Sequence, residues 1–319
     1  MKYTDIQASG KVLKMSKLVF GGCSLTPMGN IENAFRALDR YMELGGNTID
    51  TARVYGGFES FDNEDIIGKW ISSRRNRDKI ILVTKGAHPP IGDMHSSRLS
   101  RECIFSDIDT SLRKLGVECV DIYFLHRDDP NMSVGEIIDT LDILVKQGKT
   151  KAIGASNWTA DRIAQANEYA LKNNKVPFSV SQIQWSLLKM TPRDMNDDTL
   201  VCMNREEYEK YLKINVPVMA YSSQAKGRLS KAVGKDYKLD SDYIAKAGLS
   251  DKTFLINAVA SVAQRLNTTP AAVSLAYITS NKLPASAIIG FSVLAQLEDS
   301  MSDPDLSLSE EDFCLFNNK

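Results

Sequence analysis

Asp50, Tyr55, Lys85 and His126 make a set whose chemistry is coherent only when the four are read together. Asp50 falls near the end of the apolar run Asn47–Ala52, and Tyr55 follows in a glycine-flanked loop. Lys85 closes Ile80–Lys85 and His126 closes Val120–His126. Alone, each has an ordinary reading: a turn carboxylate, a packed ring, a strand-end charge escaping to solvent, a satisfied core histidine. Together they describe proton donation to a carbonyl. A free phenol has a pKa of about 10 and donates poorly at neutral pH. A neighbouring ammonium would lower that pKa, and a carboxylate would hold the ammonium charged and aimed. A neutral imidazole would hydrogen-bond the carbonyl oxygen and fix its approach. Tyr55 would then be the general acid for an alkoxide that develops as hydride arrives. No side chain supplies hydride, so the set calls for an external hydride donor.

Such a set needs elements that bring four distant segments to one place. The chain alternates short apolar runs with amphipathic stretches. The expected strands are Leu18–Cys23, Asn47–Ala52, Ile80–Lys85, Val120–His126, Thr150–Ser156, Phe178–Gln184, Val216–Tyr221 and Ala285–Gly290. Most are rich in Val, Ile or Leu without polar alternation, as parallel strands covered on both faces should be. Between them, Ile31, Phe35, Leu38 and Met42 recur at helical steps that Gly45-Gly46 ends. Ser133 to Glu136 fits a capping box opening a helix to Lys146, and Thr269-Pro270 opens Ala271–Ser280. Further helices are expected over Ser100–Leu115, Thr159–Lys172, Glu206–Leu212 and Asp251–Leu266. Eight βα units without a polar linker argue for a closed (β/α)8 TIM barrel, with residues 1–319 as one domain. Phe20-Gly21-Gly22-Cys23-Ser24 is not G-x-G-x-x-G, which removes the main support for a Rossmann sheet. Met1–Lys17 would form a hairpin closing the barrel floor. Gly86–Leu99 and the polar Ser222–Ser250 are long βα connections, expected on the catalytic face. In a barrel, polar residues at strand C-terminal ends converge on one mouth.

Composition narrows the function classes. Lys and Arg number 39 against 40 Asp and Glu, a net charge of −1, so nucleic acid or an anionic membrane has no positive patch to meet. No apolar run approaches the roughly 18 residues of a membrane span. The opening MKYTDIQASGKVLKMSKLVF has no apolar signal core, so a cytoplasmic location is expected. Five scattered cysteines and three histidines form no CxxC, HExxH or comparable cluster, so neither a disulfide framework nor a metal site is expected.

The run Asn47–Gly56 (NTIDTARVYG), Lys85 and the strand Asp121–His126 resemble the aldo-keto reductases, and the resemblance runs in order over nearly the whole chain. It implies a TIM barrel, carbonyl/alcohol interconversion with NADP(H) or NAD(H), a small-molecule carbonyl or alcohol partner, and Asp50, Tyr55, Lys85 and His126 as the catalytic residues. Thr150–Asn157 (TKAIGASN) resembles the segment whose Ser156 and Asn157 would hold the nicotinamide carboxamide, with Gln182 as a third contact. Tyr221 resembles the aromatic that stacks on the nicotinamide. The loop after it offers Ser222, Gln224, Lys226 and Arg228 to the pyrophosphate, where barrels commonly bind phosphate. The segment Ile288–Ser300 aligns with the part of the family that holds the adenosine 2′-phosphate, but it departs from the family's pattern. Family members favouring NADPH commonly carry cations there, because a dianion calls for them. This chain has Gly290, Ser292 and Gln296, with Asp299-Ser300 in place of the Glu-Asn that usually contacts adenine. Strict NADPH preference is not expected: either Lys226 or Arg228 substitutes from across the site, or NADH is accepted.

The substrate pocket would be lined by Cys23, Leu25, the Ala87–His95 loop, Arg127–Asp129, Trp158 and Trp185. That polar mixture suggests sugar-derived or short aldehydes over steroids. Two other classes compete. The family also includes potassium-channel β-subunits, which bind cofactor and regulate a partner, but the chain keeps the tetrad. A barrel hydrolase would want paired carboxylates at the ends of the later strands, where the chain has His126, Ser156, Gln184 and Tyr221.

Overall fold

The computed structural model describes residues 1–56, 62–234 and 236–317. Among these residues there are ten strands: β1 (Tyr3–Ala8), β2 (Lys11–Ser16), β3 (Leu18–Gly21), β4 (Thr48–Asp50), β5 (Ile81–Gly86), β6 (Val120–Leu125), β7 (Thr150–Ser156), β8 (Phe178–Gln184), β9 (Val218–Tyr221) and β10 (Ala285–Ile289). The main helices are α1 (Ile31–Glu43), α2 (Asn63–Arg74), α3 (Arg101–Leu115), α4 (Val134–Lys146), α5 (Ala160–Lys172), α6 (Arg205–Ile214), α7 (Thr253–Arg265), α8 (Pro270–Thr279), α9 (Leu294–Ser300) and α10 (Glu310–Asn317).

β3 to β10 close a parallel barrel in chain order, β10 pairing with both β3 and β9. All eight apolar runs singled out in the sequence are barrel strands, and the fold is a (β/α)8 TIM barrel. Their residues are buried because one face fills the barrel and the other meets the helices. Leu82, Ile153 and Ile183 belong to the outer core with α-helical residues such as Ile108 and Leu141, while Val83, Ile122, Phe124 and Met219 fill the interior.

The expected N-terminal hairpin is present. β1 and β2 pair residue for residue from Tyr3↔Ser16 to Ala8↔Lys11, around a turn in which Gly10 takes φ 74°. Ile6, Leu13 and Met15 are buried against the barrel interior and cover one end of it. Burying each such side chain contributes about 1.5–3 kcal/mol.

The cap residues operate, although Ser133 caps its helix without the reciprocal Glu136 bond of the expected capping box. Ser133 Oγ accepts from the Gly135 amide, and Thr269 from Ala272 ahead of a first-turn proline. One further expectation needs correction, and one helix was not foreseen. Ser222–Ser250 is not polar throughout: it folds into short helical turns at Arg228–Lys231 and Ser241–Lys246. Leu229, Val233, Ile244 and Leu249 from it form a separate apolar cluster with α7. α2, which the apolar periodicity does not reveal, starts at an Asp62 cap that accepts from Glu64 and Asp65. Its buried positions include Asn63, Glu64 and Gly68 beside Ile66, Ile67 and Trp70, so no clean apolar stripe marks it.

Candidate active site

The C-terminal ends of the barrel strands open onto a cleft of about 930 Å³. Neighbouring registers carry the candidate residues there: Asp50 pairs with Val83, Lys85 with Phe124 and Ser156 with Gln182. Close approach of the first strands is part of the construction, since a Cβ on Gly22 would lie 2.7 Å from the Asp50 carbonyl.

Lys85 is fully buried. Its ammonium donates to Asp50 Oδ2 at 2.7 Å, to the Thr51 carbonyl at 2.8 Å and to the Tyr55 hydroxyl at 3.4 Å. Asp50 completes its shell by accepting from Gln182 Nε2 at 2.9 Å. A buried ion pair is tolerable only with its remaining valences filled in this way. His126 follows β6, its amide donating to the Gly86 carbonyl at 3.0 Å. Its ring meets Tyr55 edge to face, centroids 5.8 Å apart, and its buried Nδ1 has no partner among the described residues. Asp50, Tyr55, Lys85 and His126 therefore share one locality, with Tyr55 and His126 at the cleft and Lys85 behind them.

Around the same cleft lie Ser156, Asn157, Gln182, Tyr221, Ser222, Gln224, Lys226, Gly290, Ser292 and Gln296. Arg228 does not line it; its guanidinium donates to the Ala247 carbonyl at 2.7 Å. Asn157 has φ 60° and spends its amide inside the protein. Nδ2 donates to the His126 carbonyl and Ser156 Oγ, and Oδ1 accepts from Tyr221 at 2.7 Å and from the Val201 amide. Gln296 Oε1 accepts from the Ser292 amide, and Gln224 Nε2 donates to Ser300.

The profile of the aldo/keto reductase family matches residues 17–318, the whole barrel. The chain belongs to the aldo/keto reductase family. Over 296 residues it is 30% identical to a probable aryl-alcohol dehydrogenase of Saccharomyces cerevisiae, covering 88% of this chain and 86% of that one. A putative aryl-alcohol dehydrogenase of the same yeast is 37% identical over 202 residues, 59% of this chain; the match spans about half of that relative, 52%. A norsolorinic acid reductase of Emericella nidulans is 28% identical, over 94% of this chain and 76% of its own. Membership makes the chain an oxidoreductase.

In this aldo/keto reductase Tyr55 and His126 are held uncharged where they face the cleft. Loss of hydration pushes the Tyr55 hydroxyl well above 10, Cys23 and Asp50 push the same way, and Arg127 opposes them. This corrects the expectation of an acidified phenol. The Lys85 charge is neutralised by Asp50 at 2.7 Å, closer than the Tyr55 hydroxyl at 3.4 Å. His126 is driven well below 6.5, first by burial and then by Lys85, His88 and Arg127, so its imidazole is neutral.

Several pocket expectations fail in this aldo/keto reductase. Trp158 is core, packed on Phe178 and donating to the Arg127 carbonyl at 3.3 Å. Trp185 packs on Tyr208 and Tyr277, and Leu25 is fully buried. Asp128 is held by Arg162, and neither it nor Asp129 reaches the cleft. His95 is exposed beside Asp198. Cys23, His88 and Arg127 do line the cleft. Sequence reasoning missed Asp197, which comes from the long β8–α6 connection and pairs with Arg127 at 3.0 Å. It also missed Lys231 at the rim. The length of that connection was the one signal available. Among the described residues no group of His, Cys, Asp and Glu could hold a metal, and no helix is long and apolar enough to cross a membrane.

Proposed function

We propose that the chain interconverts carbonyls and alcohols with a nicotinamide dinucleotide, Tyr55 acting as general acid in reduction and general base in oxidation. The observation that carries this is one ammonium, Lys85, touching both Asp50 and the Tyr55 hydroxyl beneath a cleft that also holds a neutral His126. Tyr55 holds its proton firmly until negative charge develops on the substrate oxygen. Once the proton leaves, the phenolate faces Lys85, whose hydrogen bond strengthens with the new charge. Asp50 keeps that ammonium in place, and Gln182 keeps Asp50. His126 orients the carbonyl oxygen.

The donor set fits a dinucleotide. Ser156 Oγ accepts from Asn157 and retains its own hydrogen to give, while Gln182 keeps a carbonyl oxygen; that pair complements a carboxamide. Asn157 braces them from behind and steadies the Tyr221 ring on which a flat nicotinamide would lie. Ser222, Ala225 and Lys226 all take left-handed φ, curling the backbone beside the Lys226 charge as anion-binding turns do. Gly290 opens space where a side chain would intrude, since its Cβ would meet nothing within 4 Å. When bound, the cofactor supplies the hydride.

Apart from Arg127, which Asp197 pairs, Lys226 and Lys231 are the cations of the cleft wall among the described residues, and Gly290, Ser292 and Gln296 add none. NADP(H) and NAD(H) should therefore both serve. The test is a panel of aliphatic, aromatic and sugar aldehydes and ketones followed by nicotinamide absorbance with each cofactor. Turnover with both is expected, with kcat/KM for NADPH over NADH well under about a thousandfold, the difference that some 4 kcal/mol would produce. A preference beyond that would overturn the cofactor reading, and no turnover of any carbonyl would overturn the function.

A further inference from the structure

Two histidines stand side by side in the cleft, and the chemistry above uses one. The rings of His88 and His126 meet edge to face with centroids 4.6 Å apart, so Tyr55, His126 and His88 form a continuous wall. His88 is held there by a built support. The preceding Ala87 is buried with φ 57°, a conformation a non-glycine residue keeps only where its surroundings impose it. Asp107 accepts the Ala87 amide at 2.7 Å and is clamped by Arg98 through two bonds of 2.9 Å. Arg98 also donates to the His88 carbonyl at 3.1 Å.

The geometry also fixes where the ring carries its proton. Nδ1 lies 2.6 Å from the Pro89 carbonyl, which can only accept, so Nδ1 is the protonated nitrogen. Loss of hydration holds the ring neutral by lowering its pKa below 6.5. Nε2 is then a lone-pair acceptor, and among the described residues it has no hydrogen-bond partner although the ring lines the cleft. Nearby charge is already committed. Arg127 donates to Asp197, Thr199 and the His126 carbonyl at 3.0, 3.0 and 2.9 Å, leaving no free cation on this wall among the described residues for an acidic substrate. An acceptor beside a neutralised ion pair suits a neutral donor.

We infer that His88 determines substrate specificity: its Nε2 accepts a hydrogen bond from a hydroxyl on the carbon next to the reacting carbonyl. This rests on the carbonyl chemistry proposed above, with the carbonyl oxygen at Tyr55 and His126 and the adjacent carbon reaching the next ring. α-Hydroxy aldehydes and ketones are the class that meets all three residues. One ordinary hydrogen bond discriminates by about tenfold.

The test compares kcat/KM for lactaldehyde and 2-methoxypropanal, which differ in the donor, with propanal as the unsubstituted check. Wild-type protein should favour lactaldehyde by tenfold or more. His88→Phe should bring the ratio to within about twofold of unity, and His88→Gln, whose amide oxygen still accepts, should restore several-fold discrimination. His95→Phe, in the exposed part of the same loop, should leave the ratio unchanged. Because each ratio is taken within one variant, general loss of activity cancels. Turnover of propanal with a ratio near one, no turnover of lactaldehyde, or a ratio that His88→Phe leaves intact would overturn the role of His88. Failure to reduce any of the three aldehydes, on the other hand, would strike the underlying function.

Discussion

The two ends of the barrel are built on opposite principles. At the floor, β1 and β2 pair without a register shift and press Ile6, Leu13 and Met15 onto an apolar interior. At the mouth, the barrel strands end in a buried ion pair, a His126 nitrogen without a partner among the described residues, and a run of unusual backbone. Ala87, Asn157, Ser222, Ala225 and Lys226 all carry positive φ there. Elsewhere among the described non-glycine residues that conformation falls largely on asparagines such as Asn196 and Asn215, which cap helices and tolerate it. At the mouth it falls, besides Asn157, on alanine, serine and lysine, at a cost of about 1–3 kcal/mol each. The contrast indicates that the floor stabilises the fold while the mouth gives up stability to fix side chains for chemistry.

The sharpest way to break that division is to alter the mouth without destabilising it. Tyr55→Phe removes one hydroxyl whose protein partner is a 3.4 Å bond from Lys85. kcat should fall by about 10²–10⁴. The melting temperature should stay within a few degrees and dinucleotide affinity, followed by fluorescence titration, should hold. Near-normal turnover would remove Tyr55 from its role.

Lys85→Met tests the cost of the mouth directly. It leaves the Asp50 carboxylate buried with Gln182 and no counter-charge. Denaturant unfolding should show a loss of about 3–5 kcal/mol, because an unpaired buried charge is heavily penalised. Adding Asp50→Asn should recover much of it without recovering activity. A single variant as stable as wild type would mean that the pair is hydrated after all.

The floor should respond in reverse. Met15→Ala opens a cavity under the barrel and should cost about 2–4 kcal/mol in unfolding free energy. kcat/KM at a temperature where the variant is folded should stay within about twofold of wild type. A large loss of activity would show that the two ends are coupled.

What could be read from the sequence follows the same division. The eight strands were legible because doubly covered strands must be continuous apolar runs, and the hairpin because it precedes the first of them. Asp50, Lys85 and His126 were legible because a polar residue closing such a run is conspicuous. Partners brought in by distant loops were not. Asp197 reaches Arg127 across 70 positions, and Ala247 takes Arg228 out of the cleft. Local pattern likewise could not say that Trp158, next to the cleft residue Asn157, would turn into the core instead.

Acid should also separate the ends. His126 is neutral when folded because its pKa is depressed, whereas in the unfolded chain it titrates at about 6.5. Below that value the unfolded state binds the extra proton. Stability is therefore complete above about pH 6.5 and declines as pH falls towards the folded pKa. The raised pKa of Tyr55 acts oppositely, its contribution being lost as pH rises above about 10. Unfolding free energies of wild type and His126→Asn between about pH 5 and 8 should converge as pH falls. Parallel curves would mean that the ring is hydrated.

The smallest effect expected is at Gly290. Its backbone has no positive φ, and a Cβ there would meet no protein atom within 4 Å, because the residue faces the open cleft. Gly290→Ala should therefore fold as well as wild type, or gain a few tenths of a kcal/mol from a less flexible unfolded chain. If the cleft holds a dinucleotide at that wall, the added methyl should weaken its binding several-fold, as measured by calorimetry with NADPH and NADH. A methyl group at the floor would have the opposite profile, since the interior there is filled and overpacking typically costs about 1–3 kcal/mol. Unchanged affinity for both cofactors in Gly290→Ala would show that the dinucleotide does not pass Gly290, and the assignment of Ser292 and Gln296 to the same wall would fall with it.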